Sequence, residues 1–145
     1  MAVTISLYNH TAAKFADGSF AVGDTYKINL YTTLTFDATA TTKTAAESGA
    51  TQVATANGYT QNDKALTGLA VTTVTTNDAK LDADDVTWTA SGGSITASKA
   101  LIYNDTDTDD PPVAYIDFDG SQSAGSGTDF KIIWNASGII TWTLT

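Results

Sequence analysis

The chain has 145 residues, the size of one domain, and is long enough to bury a substantial core without a disulfide or a metal ion. Sixteen Asp and Glu residues against seven Lys and Arg residues give a formal net charge of −9 at pH 7. This charge argues against binding to nucleic acid or to an anionic membrane surface. The chain has no cysteine, which excludes thiol catalysis, disulfides and thiolate metal sites.

The first residues, MAVTISLYNH, lack the basic and apolar regions of a secretory signal. The chain also lacks the run of about eighteen apolar residues that a membrane span requires. We therefore expect a protein that is made in the cytoplasm without export and that has no membrane partner.

Composition and spacing predict an all-β chain. Thr and Asp dominate the polar residues, and β-branched Thr suits a pleated surface better than a helix. Short β-like runs alternate with Gly, Asp, Asn and Ser, which is typical of an antiparallel β-sandwich; we expect a jelly-roll-like one, forming a single domain over residues 1–145. About eight strands are predicted, at residues 3–8, 26–34, 66–76, 86–90, 99–104, 113–118, 129–134 and 139–144.

One short helical segment is predicted between the first two strands. The motif HTAAKFADG indicates a helical turn or two at residues 10–15, ended by Gly18 and entered or capped by His10. No nucleophile motif accompanies this lone histidine, so it is interpreted as structural. In the next strand, YKINLY, alternation predicts that Asn29 faces water.

Residues 37–57 are rich in Ala, Thr, Ser and Gly and contain almost no large apolar residue. This composition is typical of a long loop or a mobile arm and not of a core. Because the chain shows no internal repeat, we predict one domain with a single Ala/Thr-rich excursion.

The densest group of carboxylates is NDTDTDD at residues 104–110, followed by two prolines. Alternating carboxylates can bind calcium, and Asp105, Asp107 and Asp109 are the candidate ligands. The run lacks the glycine at its sixth position and the closing bidentate glutamate of a calcium loop. The favoured alternative is a solvated turn whose charges discourage edge pairing, so no cofactor is expected.

Several strand residues are candidates either for the core or for a subunit contact. The run at residues 113–118 is apolar on both faces, as expected at the centre of a sheet or at an interface. From it we select Val113 and Tyr115, together with Trp88 and Trp142, as candidate residues of a partner or oligomer interface. A sugar-stacking platform is the weaker interpretation of the aromatic residues.

The chain ends in two alternating runs, FKIIWN and IITWTL, joined by Ala-Ser-Gly. Alternation places the large apolar residues of each run on one face. The short link then predicts a C-terminal β-hairpin with one buried side.

Catalytic motifs are absent from the sequence. It contains neither G-x-S-x-G nor G-x-x-x-x-G-K-[ST]. Its many Asp residues nominate no carboxylate pair with separated pKa values. We therefore predict that the protein is not an enzyme and name no catalytic residue.

Three stretches carry a family likeness: VTISLYNHTAAKFADG, VTTVTTNDAKLDADDVTWTASGGSITASKALIYND and PPVAYIDFDGSQSAGSGTDFKIIWNASGIITWTLT. Together they cover roughly two thirds of the chain and leave out residues 37–57. They resemble a family of small structural proteins of tailed bacteriophages. The family has no catalytic motif, so the likeness transfers no site residues.

The resemblance implies a role in virion assembly. The expected role is capsid decoration, also called cement: a protein on the outer surface of the capsid that binds the major capsid protein and itself, as a homotrimer or homodimer. Residues 37–57 would be an arm that orders on the shell. The alternatives are a tail or neck protein (adaptor, tube or fibre-associated) and, less favoured, a calcium-dependent carbohydrate-binding module.

Overall fold

A computed structural model describes residues 3–74 and 77–143 and shows a mostly β chain with two short helices. In chain order the elements are β1 (Thr4–Leu7), α1 (Thr11–Ala16), β2 (Tyr26–Thr33), α2 (Lys43–Ala46), β3 (Thr51–Gln52), β4 (Ala70–Thr73), β5 (Ala79–Asp82), β6 (Val86–Thr89), β7 (Ile95–Asn104), β8 (Pro112–Ala124), β9 (Asp129–Ile132) and β10 (Ile140–Trp142). The strand pairs among these elements are antiparallel. The predicted antiparallel all-β sandwich is confirmed, while jelly-roll connectivity stays a prediction.

The strands form three sheets around one main core. Their orders are β1-β8-β7-β2-β3, β10-β5-β4 and β6-β9. Side chains from all three sheets meet in one apolar cluster, which includes Ile28 and Ile116 of the largest sheet and Leu81 of the second. The rings of Phe118 and Phe130 lie 5.7 Å apart and join the largest sheet to the third. This shared core is what makes the arrangement a sandwich.

All eight predicted strands correspond to strands of the structure, although their ends differ. β3 and β5 were not predicted, and residues 75, 76 and 144 of the predicted strands lie outside the described residues. The predicted helical turn is α1, and His10 occupies its N-cap position. The ring Nε2 of His10 lies 2.7 Å from the carbonyl oxygen of Pro112, which ties the start of α1 to β8.

The largest sheet is buried on its second face as well. Tyr31 and Tyr115 project into a smaller cluster that also contains Ala40 and Ala46. Residues 37–57 therefore form mostly loop, as predicted, but they also contain α2 and β3 and cover this sheet face. The interpretation as an arm outside the core is wrong, because small alanine side chains let the segment pack closely on the aromatic rings.

Polar contacts fasten this segment to the sheet. The Tyr31 hydroxyl donates a hydrogen bond to Glu47 Oε1 at 2.5 Å. Lys43 donates to Asn62 Oδ1 at 2.6 Å, and its ammonium lies 4.6 Å from the centre of the Tyr103 ring. The segment is thus held by hydrogen bonds and a cation–π contact in addition to its buried alanines.

Asn29 of β2 is fully buried, which contradicts the prediction that it faces water. Its side-chain amide donates to Asn62 Oδ1 at 2.6 Å, and its Oδ1 accepts from Asn62 N at 3.0 Å. The simple alternation failed because β2 is covered on both faces, so a polar side chain there must be satisfied within the protein.

The predicted C-terminal hairpin is wrong. β9 pairs with β6, and β10 pairs with β5. After β9, Trp134 donates from its backbone N to Asp85 Oδ1 at 3.1 Å and from its indole Nε1 to the Asp84 carbonyl at 2.9 Å. The chain then crosses to the second sheet, where Ile139 N donates to the Leu81 carbonyl at 2.8 Å.

Candidate functional site

An apolar groove of about 380 Å³ lies where α1 and the loop after it meet the sheet β10-β5-β4. The strand register places Trp142 opposite Ala79, with Val71 on the same face of the sheet. Phe15 and Phe20 line the groove from the side of α1. The groove therefore joins two parts of the chain that are distant in sequence.

This groove is an outward continuation of the core. On the groove face, Ile140 and Leu81 lie opposite each other and are 3% and 2% exposed. Toward the sheet edge, Val71 is 47% exposed, and Val22 at the other side of the groove is 41% exposed. Apolar surface is thus left open at one place where the core meets solvent.

The floor of the groove is an aromatic cluster. Phe15 makes T-shaped contacts with Phe20 and Trp142 at centroid distances of 5.4 Å and 5.5 Å, and it stacks on Tyr26 at 6.2 Å. The Tyr26 hydroxyl donates to the Ala21 carbonyl at 2.9 Å, which fixes the loop beside the groove. Because these rings restrain one another, the groove is preorganised and a partner need not order it.

β4 is the outer strand of its sheet, and among residues 3–74 and 77–143 no strand pairs with its second edge, which is therefore called free. Val74 N donates to the Asp78 carbonyl at 2.9 Å, at the end of the β4–β5 pairing. Because hydrogen-bonded positions alternate along an antiparallel pair, the backbone groups of Val71 and Thr73 point to the open side. All four residues of β4 are exposed and include none of the prolines or lysines that commonly protect an edge.

The surroundings of the groove are acidic. Asp17 follows α1 directly, and Asp24 lies two residues beyond Val22. Neither carboxylate forms an ion pair within the described part of the chain, and hydrogen bonds within its own loop keep the pKa of Asp17 below its usual value. Lys14 of α1 is already bound to Asp107 at 2.9 Å.

Carboxylates also outnumber ammonium groups over the whole chain. Six of the seven lysines form ion pairs with carboxylates. The seventh, Lys64, lies 5.7 Å from the centre of the Trp88 ring. The net charge of −9 therefore resides on acidic residues that the lysines do not neutralise.

The calcium candidates are not brought together. Asp105 is paired with Lys27 at 2.8 Å and Asp107 with Lys14 at 2.9 Å, while Asp109 lies in a turn with a φ of 66°. The hydrogen bond from Lys14 lowers the pKa of Asp107. Within residues 3–74 and 77–143, no group of three or more acidic, His or Cys side chains could hold a metal ion. Two of the three candidate carboxylates thus bind lysines on different elements, Lys27 on β2 and Lys14 on α1.

Three of the four residues predicted for a partner or oligomer interface are buried in the core. Trp88, Val113 and Tyr115 are 5%, 1% and 8% exposed and belong to the core clusters. Buried in this way, Trp88 and Tyr115 do not present their rings for stacking on a sugar. Trp142 is half-buried and lines the groove, so it alone of the four reaches the candidate surface.

Sequence reasoning missed the other groove residues. The strand that contains Val71 was predicted, but its position at an edge depends on pairing with β5, which was not predicted. Phe15 and Phe20 flank the end of α1, and this close pair of aromatics beside a short helix was the available signal.

Comparisons with known proteins identify no relative. No family model matches the chain, and no match is found among the curated proteins or the solved structures. Within the part of the chain that the structure describes, no helix is both long and apolar enough to cross a membrane. The groove, the free edge and the surface charge are therefore the structural features that bear on its function.

Proposed function

We propose that this protein is a non-enzymatic structural protein of a tailed-bacteriophage virion, which decorates the outside of the capsid by binding the major capsid protein. The observation that carries the proposal is the apolar groove at Val71 and Trp142 beside the free edge of β4. An open apolar patch of this kind, next to an unprotected strand, is typical of a protein-binding surface. The assignment to a phage comes from the three sequence stretches that resemble phage structural proteins.

The charge supports an exterior position. A surface with a net charge of −9 keeps free copies soluble before they dock, and it has no attraction for packaged DNA. Ala40 and Ala46 pack on the sheet, which supports docking through a preformed surface and not through a separate arm. Association into a homotrimer or homodimer that matches the local symmetry of the shell is part of the proposal.

A tail or neck subunit is the second candidate. The same groove and edge would serve an adaptor that binds another virion protein, because the surface specifies a protein partner and not its place in the particle. The two roles differ in copy number, since decoration repeats over the shell and a neck protein forms a single ring.

Electron cryomicroscopy of phage heads that lack this protein, mixed with the purified chain, tests the proposal. Extra density repeated over the whole shell is the expected result. Density confined to one vertex would move the protein to the neck or tail. Bare heads at saturating protein concentration would overturn the proposal.

A further inference from the structure

We propose that the partner supplies an extended segment that pairs with β4 as a fourth strand, places an apolar side chain in the groove and carries lysine or arginine next to it. The identity of the partner rests on the proposed function, whereas the mode of binding rests on the groove, the edge and the charge. The two are therefore separable by experiment.

The backbone of β4 defines the first requirement. Val71 and Thr73 direct their N–H and C=O groups away from β5, and the residues of β4 are exposed throughout. A partner strand can satisfy these groups with the same ladder that joins β4 to β5. A helix cannot, because its own backbone groups are already paired.

The groove defines the second requirement. Side chains of an added strand alternate between the two faces of the sheet, so every second partner residue lies on the face that holds Val71, Ala79 and Trp142. The space of about 380 Å³ opens toward the β4 edge at Val71, so an apolar side chain of the added strand that lies opposite Val71 can enter it. Pairing and side-chain burial thus occur together.

Charge selects among the occupants. Asp17 and Asp24 lie within two residues of the groove residues Ala16 and Val22 along the chain. The nearest lysines in sequence, Lys14 and Lys27, are held in ion pairs by other carboxylates, Asp107 and Asp105. A cationic segment is attracted to this rim. A second copy of this chain would instead bring two molecules of net charge −9 together, so self-pairing through β4 is disfavoured.

Binding of a short synthetic peptide in which lysine alternates with valine and phenylalanine tests the mode of binding. The full chain and a fluorescently labelled peptide are titrated, and two control peptides are used. One replaces each lysine with glutamate; the other carries N-methyl groups on alternate peptide bonds and cannot form a ladder. We expect binding of the cationic peptide that weakens with ionic strength, and at least about tenfold weaker binding of both controls.

Two variants of one strand localise the site. Val71→Lys places a charge in the groove, whereas Thr72→Lys makes the same change in charge on the opposite face of β4. Both side chains are exposed, so each variant should keep a melting temperature within about 2 °C of the parent chain. We expect Val71→Lys to weaken peptide binding at least about tenfold and Thr72→Lys to weaken it about twofold or less.

The outcomes separate the inference from the proposed function. Failure of the parent chain to bind the cationic peptide, equal effects of the two variants, or equal binding of the N-methylated peptide would each overturn the inference. Self-association abolished by Val71→Lys would replace the cationic partner with a second copy. Phage heads decorated equally by the parent chain and Val71→Lys would retain the proposed function and reject this surface. Bare heads with intact peptide binding would reject the proposed function and retain this surface as a binding site.

Discussion

Replacing Tyr31 with phenylalanine tests whether residues 37–57 are fastened to the sheet. Tyr31 is 1% exposed, and its hydroxyl donates to Glu47 Oε1 at 2.5 Å. A hydrogen bond to a charged acceptor contributes about 1.5–3 kcal/mol. The Glu47 side chain is 26% exposed, so water replaces part of the lost bond and a decrease of about 1.5 kcal/mol in the free energy of unfolding is expected. For a chain of this size, that corresponds to a melting temperature lower by about 5 °C.

Tyr103→Phe is the matched control for this change. Tyr103 is equally buried, but its hydroxyl has no hydrogen-bond partner among the described residues. The contact of Lys43 with the ring is kept, so the free energy of unfolding should change by no more than about 0.5 kcal/mol. Urea unfolding followed by tryptophan fluorescence measures both variants. Equal losses, or an unchanged Tyr31→Phe, would refute the argument that this hydrogen bond anchors the segment.

Three further predictions concern the backbone, pH and metal binding. Gly58→Ala should lower the free energy of unfolding by about 3 kcal/mol or more, because the φ of Gly58 is 89° and the new methyl group would overlap the Thr89 carbonyl. Gly92→Ala is the control, since Gly92 has a φ of 78° but open space around it, and it should cost about 1 kcal/mol. Thermal denaturation measures both. Burial raises the pKa of all six tyrosines, so the folded state favours their neutral form. The free energy of unfolding should therefore be unaffected by tyrosine ionisation below the unfolded-state pKa of about 10 and should fall as the pH rises above it. Tyrosinate absorbance should therefore rise together with unfolding, and ionisation of most tyrosines in a still folded chain at pH about 10 would contradict this. Because Asp105 and Asp107 are paired with lysines, calcium should shift the melting temperature by less than about 1 °C, and a rise that grows with calcium concentration would show a site that the geometry does not provide.

Strand positions could be predicted from local patterns, because side-chain alternation is a property of a few consecutive residues. The run at 113–118 was correctly assigned to a strand covered on both faces, and Val113 and Ile116 are each buried. Strand pairing could not be predicted in the same way. The partners of β9 and β10 are chosen by contacts such as the indole of Trp134 with the Asp84 carbonyl, between residues that are far apart along the chain.

The loop at 37–57 shows a different limit of composition. Alanine is compatible with an exposed loop and also with very close packing, so its abundance does not distinguish the two. In the structure, Ala40 and Ala46 are 4% and 2% exposed because Tyr31 and Tyr115 present flat rings against which a larger residue would not fit as closely. Whether an alanine of this segment is exposed or buried depends on the side chains that face it, and these lie elsewhere in the sequence.

The candidate surface was the least predictable part, since it depends on tertiary placement alone. Val71 and the buried Leu81 lie opposite each other on neighbouring strands, and only the edge position of β4 leaves the valine exposed. An unprotected edge of this kind would favour pairing between copies if the surface were neutral. Six of the seven lysines form ion pairs, and the carboxylates are in excess. Two copies therefore repel one another at this edge, whereas a cationic strand is attracted. The negative charge therefore explains both why copies of the protein do not pair through the open edge of β4 and why that edge favours a cationic strand.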